Sequence, residues 1–388
     1  MYETKAFINA SRQKQKTSRI LEKTKKFILQ WHVTDLCNLN CKHCYRDGAE
    51  SNPSLSELLD VLGQFYDLLT FLRKVSGTAT HGHVNLTGGE PFLNSSFMDL
   101  LNMISSKSRL SFAILTNGTL IDAETTLSLK KLKPAYVQVS IEGTRETHDQ
   151  IRGEGSFEKA SSGIANLVAA GIPVYISFTA HRNNYKEFQD VVKHGRKLGV
   201  SLVWADRLIP CGNAQSLTND MLSPDETRSF FEIMKGSRKK KLPLITGEKK
   251  VAMHRALQFL VGNGEPYRCN AGSTLITILP NGDVLPCRRM PVVVGNVGNK
   301  HLTEIYQENT FLKSLRDENK ISRGCEQCFY QKFCRGGLRC LSHAVKGDPF
   351  HADPGCWIAQ RRENDNNILN NSGVCNDDTC ATLQNNAS

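Results

Sequence analysis

The chain has 388 residues, 39% of them hydrophobic, with 13 cysteines and a net charge of +11. That length suits a barrel-sized unit with an appendage, and the lack of any run of about 18 apolar residues excludes a membrane-spanning helix. The densest basic stretches, Lys14 to Lys26 and Arg238-Lys239-Lys240-Lys241, are not interleaved with aromatic residues. Solvated helix faces, or a dock for an acidic peptide or an electron donor, therefore explain the charge better than nucleic acid does.

Residues 1–26 form a basic extension without the apolar middle of a secretory signal, which places the chain in the cytoplasm. In that reducing compartment clustered cysteines serve metals more often than disulfides. The apolar run Phe27 to Val33 reads as a first strand and leads into Cys37-Asn38-Leu39-Asn40-Cys41-Lys42-His43-Cys44. Three thiols spaced Cys-x3-Cys-x2-Cys can close on one metal site only from a loop, which Asp35, Asn38, Asn40 and Gly48 favour. Three thiolates leave one coordination position open, as catalytic metal centres do. Soft sulfur selects zinc or an iron–sulfur cluster. A zinc knuckle, or a cluster that only carries electrons, could use the same residues.

Ser54 ahead of Glu57 marks a helix start, and Leu58, Leu59, Leu62, Phe65, Leu68, Leu69 and Leu72 recur at helical spacing. A short strand, Val84 to Leu86, ends in Thr87-Gly88-Gly89-Glu90-Pro91, where two glycines let backbone approach a ligand and Glu90 offers a carboxylate to an ammonium group. Strand Phe112 to Leu115, turn Thr116-Asn117-Gly118, helix Asp122 to Lys131, strand Ala135 to Ile141 and helix Ser156 to Ala170 follow. Strand Val174 to Thr179, helix Lys186 to Leu198 and strand Ser201 to Ala205 complete six strands. Helices between strands imply parallel pairing, with ligand groups at the C-terminal strand ends. The cysteine loop, Glu90, Asn117 and Ser140 all fall there. Cys211, after the sixth strand, is a candidate hydrogen donor, substrate-binding thiol or cluster ligand, or it simply packs.

These motifs resemble the radical SAM superfamily. The resemblance implies a partial (β/α)6 barrel over residues 27–222, an α/β fold. It also implies a [4Fe-4S] cluster held by Cys37, Cys41 and Cys44, with S-adenosylmethionine (SAM) on the fourth iron. By the same resemblance Gly88, Gly89 and Glu90 bind the methionine amino group and His43 contacts adenine. Asn117 lies at the same edge, Ser140 and Glu142 lie near the ribose, and Arg152 reaches the methionine carboxylate. A capped helix start with a surface salt bridge is the plainer reading of the stretch from Ser140 to Gly153.

A helical linker, 223–264, leads to a second cysteine-rich region, Cys269, Cys287, Cys325, Cys328, Cys334, Cys340 and Cys356, too many thiols for one metal. Pro280-Asn281-Gly282-Asp283 marks a hairpin inside it. Residues 265–360 resemble the SPASM extension, a small cysteine-rich domain holding one or two auxiliary [4Fe-4S] clusters. By that pattern Cys325, Cys328, Cys334 and Cys356 ligate the outer cluster, and Cys269 and Cys287 the inner one. Leu338 stands where the family usually has a cysteine, so Cys340 is the substitute ligand, or the inner cluster is altered or absent. Paired structural zinc sites are the alternative. Residues 361–388, with Cys375 and Cys380, read as a flexible tail.

The resemblance implies an enzyme that cleaves SAM reductively to a 5′-deoxyadenosyl radical and abstracts a substrate hydrogen, fed by a flavodoxin- or ferredoxin-type one-electron reductant. Its branch most often matures ribosomally made peptides. The short extension leaves leader recognition to a separate protein or to the SPASM surface. A haem-pathway enzyme acting on porphyrin side chains is the alternative, since its relatives share stretches like Gly336 to Arg339 and Gly347 to Phe350. A non-catalytic metal-binding or electron-transfer protein would not cleave SAM.

Overall fold

A computed structural model describes residues 25–46, 50–78, 80–238, 250–262 and 265–362. Most of the basic extension, Gly48, Lys239 to Lys241 and the tail with Cys375 and Cys380 lie outside the described residues. The backbone of the architecture is one ten-stranded sheet. Its first part comprises β1 (Lys25–His32), β2 (Thr80–Thr87), β3 (Leu110–Thr116), β4 (Tyr136–Ser140), β5 (Val174–Ala180) and β6 (Leu202–Arg207), each parallel to the next.

The intervening helices are α1 (Leu55–Ser76), α2 (Phe97–Ser105), α3 (Ala123–Leu132), α4 (Arg145–Arg152), α5 (Ser156–Ala169) and α6 (Phe188–Leu198). The starts of α1 and α3 follow from their caps. Ser54 and Glu57 form a reciprocal capping box, and Asp122 accepts the N–H of Thr125 at 2.8 Å. Leu58, Leu62, Phe65 and Leu69 of α1 are buried beside Leu29, Val84 and Leu86, in the layer that joins helix to sheet. In β5 the alternation is plain: Val174, Ile176, Phe178 and Ala180 are buried, whereas Tyr175, Ser177 and Thr179 are half-buried.

The expected helical linker is broken. It contains α7 (Pro224–Ser237), a two-residue strand β7 (Lys250–Val251) parallel to β6, and one short turn of helix, α8 (Phe259–Gly262). Beyond it, β8 (Leu275–Ile278) and β9 (Asp283–Leu285) form the expected hairpin, with Gly282 at φ 86° in its turn. β8 also pairs in parallel with β1, Ile28 opposite Leu275, and β10 (Gly295–Asn296) pairs with β9. The barrel sheet thus runs directly into the cysteine-rich unit, in the order β10-β9-β8-β1-β2-β3-β4-β5-β6-β7. The unit finishes with α9 (Leu302–Glu308), α10 (Thr310–Arg316), α11 (Gln331–Cys334) and α12 (Arg339–Lys346).

One buried ion pair fastens its far end to the barrel. Arg207, the last residue of β6, donates two hydrogen bonds to Asp353 at 2.8 and 2.6 Å. Asp353 also accepts the backbone N–H groups of Leu338 and Gly355, each at 2.9 Å.

Candidate active site

The C-terminal ends of the strands surround a cavity of about 520 Å3. Cys37, Cys41 and Cys44 line it together with His43, Gly88, Gly89, Asn117, Ser140 and Arg152. These residues come from the loops after β1, β2 and β3, the last residue of β4 and the end of α4, and parallel strand order brings them together.

Besides lining the cavity, Gly88 and Gly89 have a packing reason to be glycines. A Cβ on Gly88 would stand 2.2 Å from the carbonyl oxygen of Thr34, and one on Gly89 would stand 2.0 Å from that of Leu36. The N–H groups of Gly89 and Glu90 donate to Thr34 and Leu36, both at 2.8 Å. The glycines let this turn lie against the start of the cysteine loop and fix the loop's path.

Glu90 is fully buried rather than offered to the cavity. Its carboxylate accepts the hydroxyl of Thr116 at 2.8 Å and the N–H of Asn117 at 2.9 Å. Burial pushes its pKa up to about 7, against the pull of those two donors. Asn117 in turn donates its side-chain amide to Asn38 in the cysteine loop at 2.9 Å.

Glu142 is likewise withdrawn. One oxygen accepts from Nε of Arg152 at 3.1 Å and from its Nη2 at 2.6 Å, and lies 3.3 Å from Nε2 of His43. The other oxygen accepts the N–H of Thr179 at 2.8 Å. Burial raises the pKa of this carboxyl, but the Arg152 charge, together with His43 and the N–H of Thr179, outweighs it and holds the group well below the usual carboxylate range. The geometry therefore differs from the expected one. Two nitrogens of Arg152 are committed to Glu142, and Nη1 stands 3.7 Å from the sulfur of Cys41. Glu142 positions His43 and Arg152 from behind. Nδ1 of His43 is buried without a protein partner, as a group held for a cofactor's hydrogen bond would be.

A second, smaller cavity of about 30 Å3 is lined by Cys325, Cys328, Cys334 and Cys356, with Leu257, Tyr330 and Asp353 around it. Burial pushes Cys325 and Cys334 up to about 12, helped by neighbouring thiols and, at Cys334, first by the charge of Asp353. A cationic metal centre inverts that preference and favours the thiolates. Backbone N–H groups aim at several of the sulfurs: Leu39 at Cys37, Ala271 and Arg339 at Cys269, Gly337 at Cys334, and Ile358 and Ala359 at Cys356. Such donors stabilise sulfur carrying negative charge. Among the described residues no three His, Cys, Asp or Glu side chains converge on a single-ion site. A cubane cluster holds its sulfur ligands farther apart than one zinc ion, with zinc–sulfur bonds of about 2.3 Å, does.

Cys340 is buried, and Cys269 and Cys287 are near enough to raise its pKa. Cys211 packs with Ile209, Met290, Leu338, Cys340 and Leu341 in a small apolar cluster, with Cys287 against it. It lies behind the cavity wall rather than on it. Six charged residues of the cavity lining went unmarked in the sequence: Arg46, Glu50, Asp206, Arg207, Arg288 and Arg289. Arg288 and Arg289 directly follow a candidate ligand cysteine, and that adjacency was the one available signal.

Residues 31–195 match the Radical SAM superfamily, and residues 269–329 match an iron–sulfur cluster-binding domain, SPASM. The AdoMet-dependent heme synthase of Methanosarcina barkeri is 26% identical over 85% of this chain and 95% of its own length. The mycofactocin maturase MftC of Mycolicibacterium smegmatis is 26% identical over 80% of this chain and 77% of its own. Among solved structures, Streptococcus suis SuiB bound to the precursor peptide SuiA shares the fold, with a TM-score of 0.67 at 17% identity, covering 91% of this chain and 80% of that one.

Proposed function

Since the chain belongs to the radical SAM superfamily and is an enzyme with a C-terminal SPASM domain, we propose that its barrel cavity cleaves SAM and that its substrate is a ribosomally made peptide. The observation that carries the reading is the convergence of Cys37, Cys41 and Cys44 with Gly88, Gly89 and His43 on one cavity. Cys37, Cys41 and Cys44 would hold an iron–sulfur cluster that, once reduced by a one-electron donor, would supply the electron for reductive cleavage of SAM. The protein's own part is positional. Glu142 holds His43 toward the adenine and Arg152 beside Cys41, while Gly88 and Gly89, which line the cavity, stand at the methionine end of SAM. Buried walls keep water from the radical. Cys325, Cys328, Cys334 and Cys356 hold an outer auxiliary cluster, and Cys269, Cys287 and Cys340 an inner one.

A tetrapyrrole substrate is the second reading, favoured by the heme synthase that covers 85% of the chain. The shared stretches noted in the sequence do not favour it. Arg339 is buried, donates to the carbonyl of Leu315 at 2.7 Å and lies over the ring of Phe350, so these residues pack the cysteine-rich unit.

The test is anaerobic reconstitution, metal analysis and a 5′-deoxyadenosine assay with SAM and a chemical reductant. About twelve irons per chain with SAM cleaved supports three four-iron clusters, and about eight removes one auxiliary cluster. Cys41→Ala should abolish cleavage, whereas Cys328→Ala should keep cleavage and lose product. Zinc without iron and no cleavage would overturn the reading.

A further inference from the structure

Five arginines line the barrel cavity: Arg46, Arg152, Arg207, Arg288 and Arg289. Four have a carboxylate from the chain itself. Arg46 pairs with Asp35 at 3.3 Å, and Arg152, Arg207 and Arg289 pair with Glu142, Asp353 and Asp206, each at 2.6 Å. Arg288 differs in one respect: among the described residues its guanidinium makes no ion pair. Its Nε is buried without a hydrogen-bond partner, as are those of Arg46 and Arg289, whose guanidinium groups are nonetheless paired elsewhere. Its backbone is fixed, since its N–H donates to the side chain of Gln30 on β1 at 3.3 Å. Its guanidinium carbon stands 5.6 Å from the centre of the Tyr45 ring.

The rings beside it bring no carboxylate: Tyr45 and Nε2 of His32 lie 3.3 Å apart, and burial, followed by the charges of Arg288 and Arg46, depresses the pKa of His32 to about 3. A guanidinium held against an aromatic face keeps its hydrogen-bonding edge free for a planar anion. A half-buried guanidinium that no carboxylate of the chain has neutralised is a favourable partner for an anionic ligand group.

We propose that Arg288 anchors a carboxylate of the substrate, either a propionate of a tetrapyrrole or an acidic side chain or C-terminus of a peptide. The inference rests on the reading of this cavity as the reaction site. Its neighbour Arg289 is committed to Asp206 and keeps that wall rigid.

The experiment is arginine labelling of the reconstituted holoenzyme with phenylglyoxal, mapped by mass spectrometry, in sodium propionate or in sodium chloride of equal ionic strength. Arg288 should react several-fold faster than Arg207 and be protected by propionate but not by chloride. Equal reactivity, or no protection, overturns the proposal. Protection by SAM alone would assign Arg288 to the methionine carboxylate and also overturn it.

The source is separated by equilibrium binding of coproporphyrin III against its tetramethyl ester, and of a glutamate-containing peptide against its glutamine form. Arg288→Gln, prepared with matched iron content, should weaken the carboxylate form of one pair roughly ten- to hundredfold and leave its neutral form unchanged. No difference in either pair overturns the proposal. A wild-type preparation that makes no 5′-deoxyadenosine counts against the function proposed for the cavity, while the labelling pattern still judges Arg288.

Discussion

Asp353→Ala should be among the most damaging substitutions outside the cysteine sites. Its side chain and that of Arg207 are 0% and 3% exposed, so solvent screens the pair very little. Removing the carboxylate strands a buried guanidinium, which costs about 3–5 kcal/mol. The N–H groups of Leu338 and Gly355 also lose their acceptor, adding about 1–3 kcal/mol each where water cannot reach them. Gly355 already packs closely on the guanidinium, since a Cβ there would meet Nη1 of Arg207 at 2.1 Å. The comparison is Glu158→Ala, whose partner Arg145 sits in a pair more than half exposed on both sides and should matter by no more than about 1 kcal/mol. Anaerobic urea unfolding followed by tryptophan fluorescence reads both, since Trp357 is buried against Phe231 at 6.3 Å beside this joint. The double variant Arg207→Leu/Asp353→Leu should recover most of the guanidinium's share. A midpoint for Asp353→Ala no lower than that for Glu158→Ala would refute the argument that this pair joins the two parts of the fold.

Two further outcomes follow from the turn after β2. Gly89→Ala puts a methyl group 2.0 Å from a backbone carbonyl that cannot rotate away; the reconstituted variant should lose the barrel site's share of iron while keeping that of the cysteine-rich unit, read by iron and sulfide analysis. Glu90→Gln should change a pH dependence. Burial raises the folded-state pKa of Glu90 from 4.5 to about 7, so between those values the folded chain retains a proton that the unfolded chain has released. Folding stability from this group is therefore lost as pH rises through that window, by on the order of 3 kcal/mol. Thermal midpoints at pH 5, 6, 7 and 8 should fall more steeply for the wild type than for Glu90→Gln, and parallel curves would sink the assignment.

Much of this was legible because parallel α/β topology turns chain order into spatial order. Once the strands were read from apolar runs, the loops after β1, β2, β3 and β4 had to share an edge, and the cavity lies there. Helix α2 went unread although Phe97, Leu100, Leu101 and Ile104 are buried at helical spacing. It is short, and its N-terminal Ser96 makes no side-chain cap hydrogen bond to announce it. Strand β7 could not be read, because two residues carry no period; only pairing with β6 makes it a strand.

The carboxylates show a different limit. Glu90 and Glu142 stand in the right loops, yet each is turned inward onto the chain's own donors, and a motif gives a residue's place without its side-chain direction. Glycine spacing carried a second meaning the sequence did not show: the two residues that line the cavity also admit the Thr34 to Leu36 backbone. Charge pairing is the part a linear reading loses altogether, since Arg207 and Asp353 are 146 residues apart. Arg288 and Arg289 are adjacent in sequence and end in opposite states, one bound to Asp206 and one without a carboxylate among the described residues. Which arginine a cavity keeps for its ligand is therefore set by what the distant chain has already neutralised.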